Sequence, residues 1–119
     1  MKSTYLIYIL ILSAFYSCSY NSEDDLTEAI IIEDLVNYED NIKSIIDNNC
    51  IGCHSNPPVN GAPMPLTTYV DVKDALENRD LIARLASNDS GFVMPFGGPR
   101  LPQNLIDLVI QWEEEGLLE

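Results

Sequence analysis

The chain has 119 residues and a net charge of −13, since 19 Asp and Glu residues face only 6 Lys and Arg residues. This charge argues against nucleic acid as a partner, because binding to phosphates requires a high density of basic side chains. The length allows one domain at most, and 46% hydrophobic residues beside this charge indicate a folded domain joined to a charged, extended segment.

The amino-terminal segment has the pattern of a secretory signal. Lys2 is the only charged residue before Glu23, and residues 4–16 are almost wholly apolar. An apolar run of this length is typical of a signal peptide and is short for a transmembrane helix. We therefore assign residues 1–17 to a signal peptide and expect the protein to be exported.

The end of this segment resembles the signal of bacterial lipoproteins, in which a cysteine becomes the lipidated first residue. Cys18 would be that residue, although Phe15 and Tyr16 are bulkier than the residues usual before it. An unpaired thiol is a liability in an exported protein, which favours lipidation of Cys18. The alternatives are ordinary cleavage nearby, which leaves Cys18 as a free thiol, and an uncleaved membrane anchor.

Residues 18–36 are predicted to form an acidic tether between the lipid and the domain. Residues 19–28 are polar and acidic, as is typical of a flexible linker. Their acidic cluster resembles the surface-export signal of some Bacteroidetes lipoproteins, but a solvated spacer explains it equally well. We expect a lipid-anchored protein of the cell envelope, on the periplasmic face or at the outer-membrane surface.

Residues 37–50 are predicted to form a helix that ends at a cysteine. Ile42, Ile45, Ile46 and Cys50 follow helical spacing. Asn37 suits the N-cap, and the next turn is acidic, which the helix dipole favours.

The residues CIGCH at 50–54 carry the chemistry. Cys50, Cys53 and His54 occupy positions i, i+3 and i+4, which share one face of a helical turn. Two thiols and one imidazole suit a haem, which takes two thioether links and an iron ligand, and C-x-x-C-H is the attachment signal of c-type haem. We predict one covalent haem c bound by Cys50 and Cys53, with His54 as an axial iron ligand.

Three other interpretations of this motif remain open. A disulfide oxidoreductase also uses C-x-x-C, but it normally lies in a βαβ context that is not visible here. A disulfide between Cys50 and Cys53 would close a very short loop and add little stability. Zinc needs four ligands, and Cys18 is the only remaining Cys or His that could provide the fourth.

The second axial ligand of the iron is predicted to be Met94. His54 is the only histidine, and Met1 is lost with the signal, which leaves Met64 and Met94. The axial ligands approach from opposite faces, and Met64 follows His54 too closely to round the ring. Met94 begins the stretch MPFGGPRLP, whose prolines and glycines suit a rigid loop that holds a soft thioether. We expect Met64 to be a packing residue.

Three further helices are predicted after the motif. The second helix of the domain lies in the segment 67–78 and starts at Thr68 with a pattern close to a capping box. The third helix covers residues 80–87. Pro102 and Gly116 mark the start and the end of the last helix. Its apolar stripe consists of Leu105, Ile106, Val109 and Trp112, and we expect the tryptophan to pack in the core.

From about residue 37 to the end, the chain resembles a small class I cytochrome c of the bacterial single-haem kind. The resemblance is carried by the amphipathic helix, CIGCH, PMPLTTYVDV, VMPFGGPRL and a last helix with tryptophan. It implies an all-α cytochrome c domain over residues 37–119, with about four helices around one haem. It also implies His54 and Met94 as axial ligands, and a backbone carbonyl from residues 63–66 that orients the imidazole.

The implied function is electron transfer without substrate turnover, so we expect a carrier and not an enzyme. Methionine–histidine ligation tends to raise the potential of the iron. The partners would be redox proteins, and the negative charge would favour basic ones, although solubility explains the charge equally well. The alternatives are a haem-based gas sensor or peroxidase-like enzyme from which Met94 detaches, and a surface lipoprotein whose CIGCH is a dithiol.

Overall fold

The computed structural model describes residues 35–119, which form an all-α arrangement with no strand in that range. The predicted signal, Cys18 and almost all of the tether lie outside the described residues. Within residues 35–119 no helix is long and apolar enough to cross a membrane. The predicted fold class, all-α, is confirmed.

The first helical segment begins at Asn37, as predicted. The Asn37 side chain accepts a hydrogen bond of 2.8 Å from the backbone N–H of Asp40. The opening turn, Tyr38–Ile42, is π-helical and continues into α1, Lys43–Asn49. The Lys43 N–H bonds to the carbonyl of Tyr38, five residues back, so this turn is wider than an α-helical one.

Helices α2, Tyr69–Asn78, and α3, Leu81–Ala86, follow the motif. Thr68 caps α2 through the predicted capping box, in which its side chain accepts from the Asp71 N–H and its own N–H donates to the Asp71 carboxylate. Asp80 has a φ of 56°, and this left-handed residue separates α2 from α3.

Helix α4, Gln103–Glu114, closes the fold. Pro102 was predicted to be the first residue of this helix, but it is the N-cap, and the helix begins at Gln103. Gly116 follows the end of the helix with a φ of +95°. The opening π-helical turn and α3 both pack against α4. The predicted stripe is confirmed for Ile106, Val109 and Trp112, which are fully buried, whereas Leu105 is only half-buried.

An aromatic cluster joins the start and the end of the domain. Tyr38, Tyr69 and Trp112 lie with ring centroids 5.6 to 6.1 Å apart. The Trp112 indole donates a 2.7 Å hydrogen bond to the carbonyl of Leu118, and the Tyr69 hydroxyl donates a 2.8 Å bond to the carbonyl of Leu117. Trp112 is therefore a core residue, as predicted, and it also holds the carboxyl-terminal tail.

The segment that enters the domain packs against its end. The Tyr38 N–H donates to the carbonyl of Leu118 at 2.9 Å, and the Val36 N–H donates to the carboxylate of Glu115 at 2.5 Å. Val36 was assigned to the tether from sequence, but its side chain is fully buried. The packed region therefore includes Val36.

Candidate haem-attachment site

The CIGCH turn follows directly from α1. Cys50 is the C-cap of this helix, and its N–H bonds to the carbonyl of Ile46 at 2.8 Å. The N–H groups of Cys53 and His54 both bond to the carbonyl of Cys50, at 3.1 and 2.9 Å. The motif therefore keeps a helix-like turn, which is the geometry on which the predicted shared face depends.

The two cysteines of this turn have different surroundings. Both are free thiols, but Cys50 packs against the core while Cys53 is exposed. Burial raises the pKa of the Cys50 thiol to about 11, so this thiol is protonated at neutral pH. A buried, neutral Cys50 differs from the low-pKa thiol of a disulfide oxidoreductase.

The donor groups of the turn do not converge on one point. Between residues 35 and 119, no group of three or more His, Cys, Asp or Glu side chains is placed to hold a metal ion. A zinc site needs four ligands around a single centre. A haem makes a different demand, because its two vinyl carbons and its iron lie apart across a ring.

The imidazole of His54 is fixed from one side. Its Nδ1 lies 2.8 Å from the carbonyl oxygen of Met64. Because a carbonyl only accepts, Nδ1 carries the proton in this contact, and Nε2 keeps its lone pair for a metal. The Leu66 N–H donates to the carbonyl of His54 at 2.8 Å, so two hydrogen bonds join His54 to residues 64–66. The resemblance implies an orienting carbonyl from residues 63–66, and the carbonyl that contacts His54 in the structure is that of Met64.

The loop after His54 turns back onto Cys53. The Val59 N–H donates to the Cys53 carbonyl at 2.9 Å, and the Asn60 side-chain amide lies 3.6 Å from the Cys53 sulfur as a donor. Asn60 and Gly61 both have positive φ values, 53° and 80°, which make this turn. Sequence reasoning missed Asn60, and its only local signal was the Asn-Gly pair, which is typical of a turn. We call residues 50–66 the His54 side of the site.

Met94 lies in a separate loop, residues 89–101, which we call the Met94 loop. Met94 is half-buried, and its N–H donates to the carbonyl of Arg84, in α3, at 3.1 Å. The preceding turn is closed by N–H groups of Phe92 and Val93 on the carbonyl of Asp89, at 2.9 and 2.8 Å. Asp89 therefore closes the turn that leads into Met94.

Residues 96–99 of the Met94 loop are exposed to solvent. Phe96 is 71% exposed, although it is a large apolar residue. Arg100 ends the loop with hydrogen bonds to the Ala86 carbonyl at 3.1 Å and to the Gln103 side chain at 2.6 Å. Arg100 therefore ties the loop to α3 and to the start of α4.

Both segments of the site are almost free of charged residues. None of Asp, Glu, Lys and Arg occurs between Asp47 and Asp71, and only Arg100 occurs between Asp89 and Asp107. The net charge of −13 is thus carried elsewhere in the chain.

The structure brings Cys50, Cys53 and His54 together in one turn, and it places Met94 in a loop held by α3. Among the described residues, no hydrogen bond joins the His54 side to the Met94 loop. Comparisons with models of known families, with curated proteins and with solved structures find no match.

Proposed function

We propose that this protein is an electron carrier of the cell envelope, similar to a small class I cytochrome c. Cys50 and Cys53 would bind one haem c covalently, and His54 and Met94 would be its axial ligands. The bound haem would supply a one-electron couple at its iron. The observation that carries this proposal is the contact between His54 Nδ1 and the Met64 carbonyl.

This contact prepares His54 to bind iron. It selects the tautomer whose Nε2 has a free lone pair, and it limits rotation of the ring. A dithiol at Cys50 and Cys53 has no need for an imidazole oriented in this way. The raised pKa of Cys50 also fits a thiol that stays neutral until it is consumed in a thioether bond.

The same contact supports Met94 over Met64 as the second axial ligand. The backbone of Met64 contacts the His54 ring, so the Met64 side chain would start on the face of the haem that His54 binds. Met64 is also half-buried against the hydrophobic core. Met94 is held instead by α3, on a segment that is stiffened by Pro95.

The proposed partners are redox proteins, and the negative charge would favour basic ones. Apart from Asp89, the acidic residues lie outside the two site segments, so they would guide such partners from a distance. Phe96 provides exposed apolar surface beside Met94. A lipid on Cys18 would keep the carrier at a membrane.

The proposal is tested by absorption spectra of the full chain, exported from cells that also express a c-type maturation system. The oxidised and reduced wild type is compared with Met94→Ala and with Met64→Leu as the matched control. We expect a c-type spectrum and a methionine–iron(III) charge-transfer band that Met94→Ala loses and Met64→Leu keeps. Absence of covalent haem from the wild type would refute the proposal, and loss of the band in Met64→Leu alone would refute the choice of Met94.

A gas sensor or peroxidase-like enzyme is the second candidate, and one observation favours it. The backbone of Met94 is held by a single hydrogen bond to α3, and exposed Phe96 follows within two residues, so the ligand could detach. Rapid binding of carbon monoxide to the reduced wild type at neutral pH would select this function. Slow binding limited by loss of Met94 would select the electron carrier.

A further inference from the structure

The exposed cysteine of the motif is held by a side chain that the family resemblance does not include. Packing against the core restricts the Cys50 side chain, but Cys53 is exposed and has no such restriction. An exposed cysteine samples several staggered rotamers. The contact of 3.6 Å from Asn60 Nδ2 to Cys53 Sγ selects one of them.

The backbone prepares this contact. The bond from the Val59 N–H to the Cys53 carbonyl holds the neighbouring residue, Asn60, close to Cys53. Asn60 adopts a φ of 53°, a left-handed conformation that asparagine tolerates better than other residues with a side chain, apart from aspartate. Asparagine therefore satisfies two demands at this position, a left-handed backbone and a short side-chain donor.

We propose that Asn60 is a positioning residue for the second thioether bond, and this inference rests on the proposed function. Its amide would hold Cys53 Sγ in the orientation from which the thiol adds to a vinyl group of haem. In that addition the sulfur bonds to the inner vinyl carbon and the thiol hydrogen passes to the terminal carbon, so no oxidant is needed. Cys50, which packing orients, would not depend on Asn60.

The test compares Asn60→Gly and Asn60→Asp in the full chain, exported with a c-type maturation system. Glycine keeps the left-handed backbone and removes the donor, while aspartate keeps the size and presents only acceptors. Asn56→Gly and Asn56→Asp are the matched controls, because Asn56 lies exposed in the same loop. The denatured holoproteins are alkylated, and peptide mass spectrometry then gives the share of molecules with a free thiol at each cysteine.

We expect the share of molecules with free Cys53 to rise about fivefold in both Asn60 variants, as loss of one modest hydrogen bond implies. Cys50 and both control variants should match the wild type. The pyridine haemochrome band should move to longer wavelength in the Asn60 variants, because one vinyl group stays unsaturated. Circular dichroism of the holoproteins should match in all five proteins.

Three outcomes would overturn the inference. Complete attachment of Cys53 in Asn60→Gly would show that the amide is not needed. Equal release of Cys50 and Cys53 would show a general loss of structure, and equal release in the Asn56 variants would show an effect of the loop as a whole. Wild-type protein without covalent haem would instead refute the proposed function, so the two failures are distinguishable.

Discussion

The His54 side and the Met94 loop are held in different ways. On the His54 side, the turn continues α1, and His54 is bonded to residues 64–66 through both its ring and its carbonyl. In the Met94 loop, the backbone of Met94 makes one bond to α3, and stiffness comes from proline. His54, the proposed first ligand, is therefore held by both its ring and its backbone, whereas Met94, the proposed second ligand, is held by its backbone alone.

This difference indicates how each side should respond to change. Removal of the His54 imidazole should prevent the haem from binding, because attachment and ligation would depend on one turn. Changes in the Met94 loop should leave the covalent attachment of haem intact and alter only the ligation of its iron. Of the four predictions below, which run from the largest expected effect to the smallest, the first and the last test this contrast directly.

His54→Ala should abolish covalent haem. The substitution removes the oriented imidazole, and the described residues contain no other histidine that could replace it. Haem staining of a denaturing gel, normalised to protein, measures the result, with the neighbouring Ser55→Ala as control. Haem content equal to that of Met94→Ala would show that the two sides do not differ.

Trp112→Ala should destabilise the holoprotein by about 3–5 kcal/mol, because it removes a fully buried indole from the hydrophobic core. Trp112→Phe should cost less, since it keeps most of the apolar volume and loses only the bond to the Leu118 carbonyl. Guanidinium denaturation followed by circular dichroism gives both values. Equal losses in the two variants would mean that the hydrogen bond, and not packing, carries the effect.

Tyr38→Phe should stabilise the protein by about 1 kcal/mol. The Tyr38 hydroxyl is buried and has no hydrogen-bond partner among residues 35–119, and such a group costs free energy. The variant should also weaken the alkaline loss of stability. Burial raises the pKa of Tyr38 above its ordinary value of 10, so the folded state keeps a proton that the unfolded state releases, and stability falls as pH rises above about 10.

Denaturation of wild type and Tyr38→Phe at neutral pH and at pH above 10 checks both parts of this prediction. Tyr69→Phe is the control, because the Tyr69 hydroxyl donates to the Leu117 carbonyl and its loss should destabilise. A destabilised Tyr38→Phe would mean that the hydroxyl has a partner after all.

Phe96→Ala in the Met94 loop should have the smallest effect. The side chain is 71% exposed, so the free energy of unfolding should change by less than about 0.5 kcal/mol. The charge-transfer band expected for Met94 should persist. A loss of stability comparable to that of Trp112→Phe would show that Phe96 is packed as firmly as a core residue.

The helices and their ends were predictable from sequence because local interactions define them. Asn37 and Thr68 each bond to a backbone N–H three residues ahead, and such caps are visible in the order of residues alone. The CIGCH turn is equally local, since its bonds span three and four residues. The buried face of α4 followed from helical periodicity.

The partners of these local units depended on the tertiary structure. The carbonyl that orients His54 is a backbone group, and every residue in 63–66 has one, so the sequence contained no signal for Met64. Contacts such as Val36 with Glu115 join residues far apart in the chain, and Asn60 reaches Cys53 only because the loop turns back. The sequence by itself therefore determined the helices and the local turn of the CIGCH motif. Packing decided which groups contact that turn, because long-range contacts depend on how the whole chain is arranged.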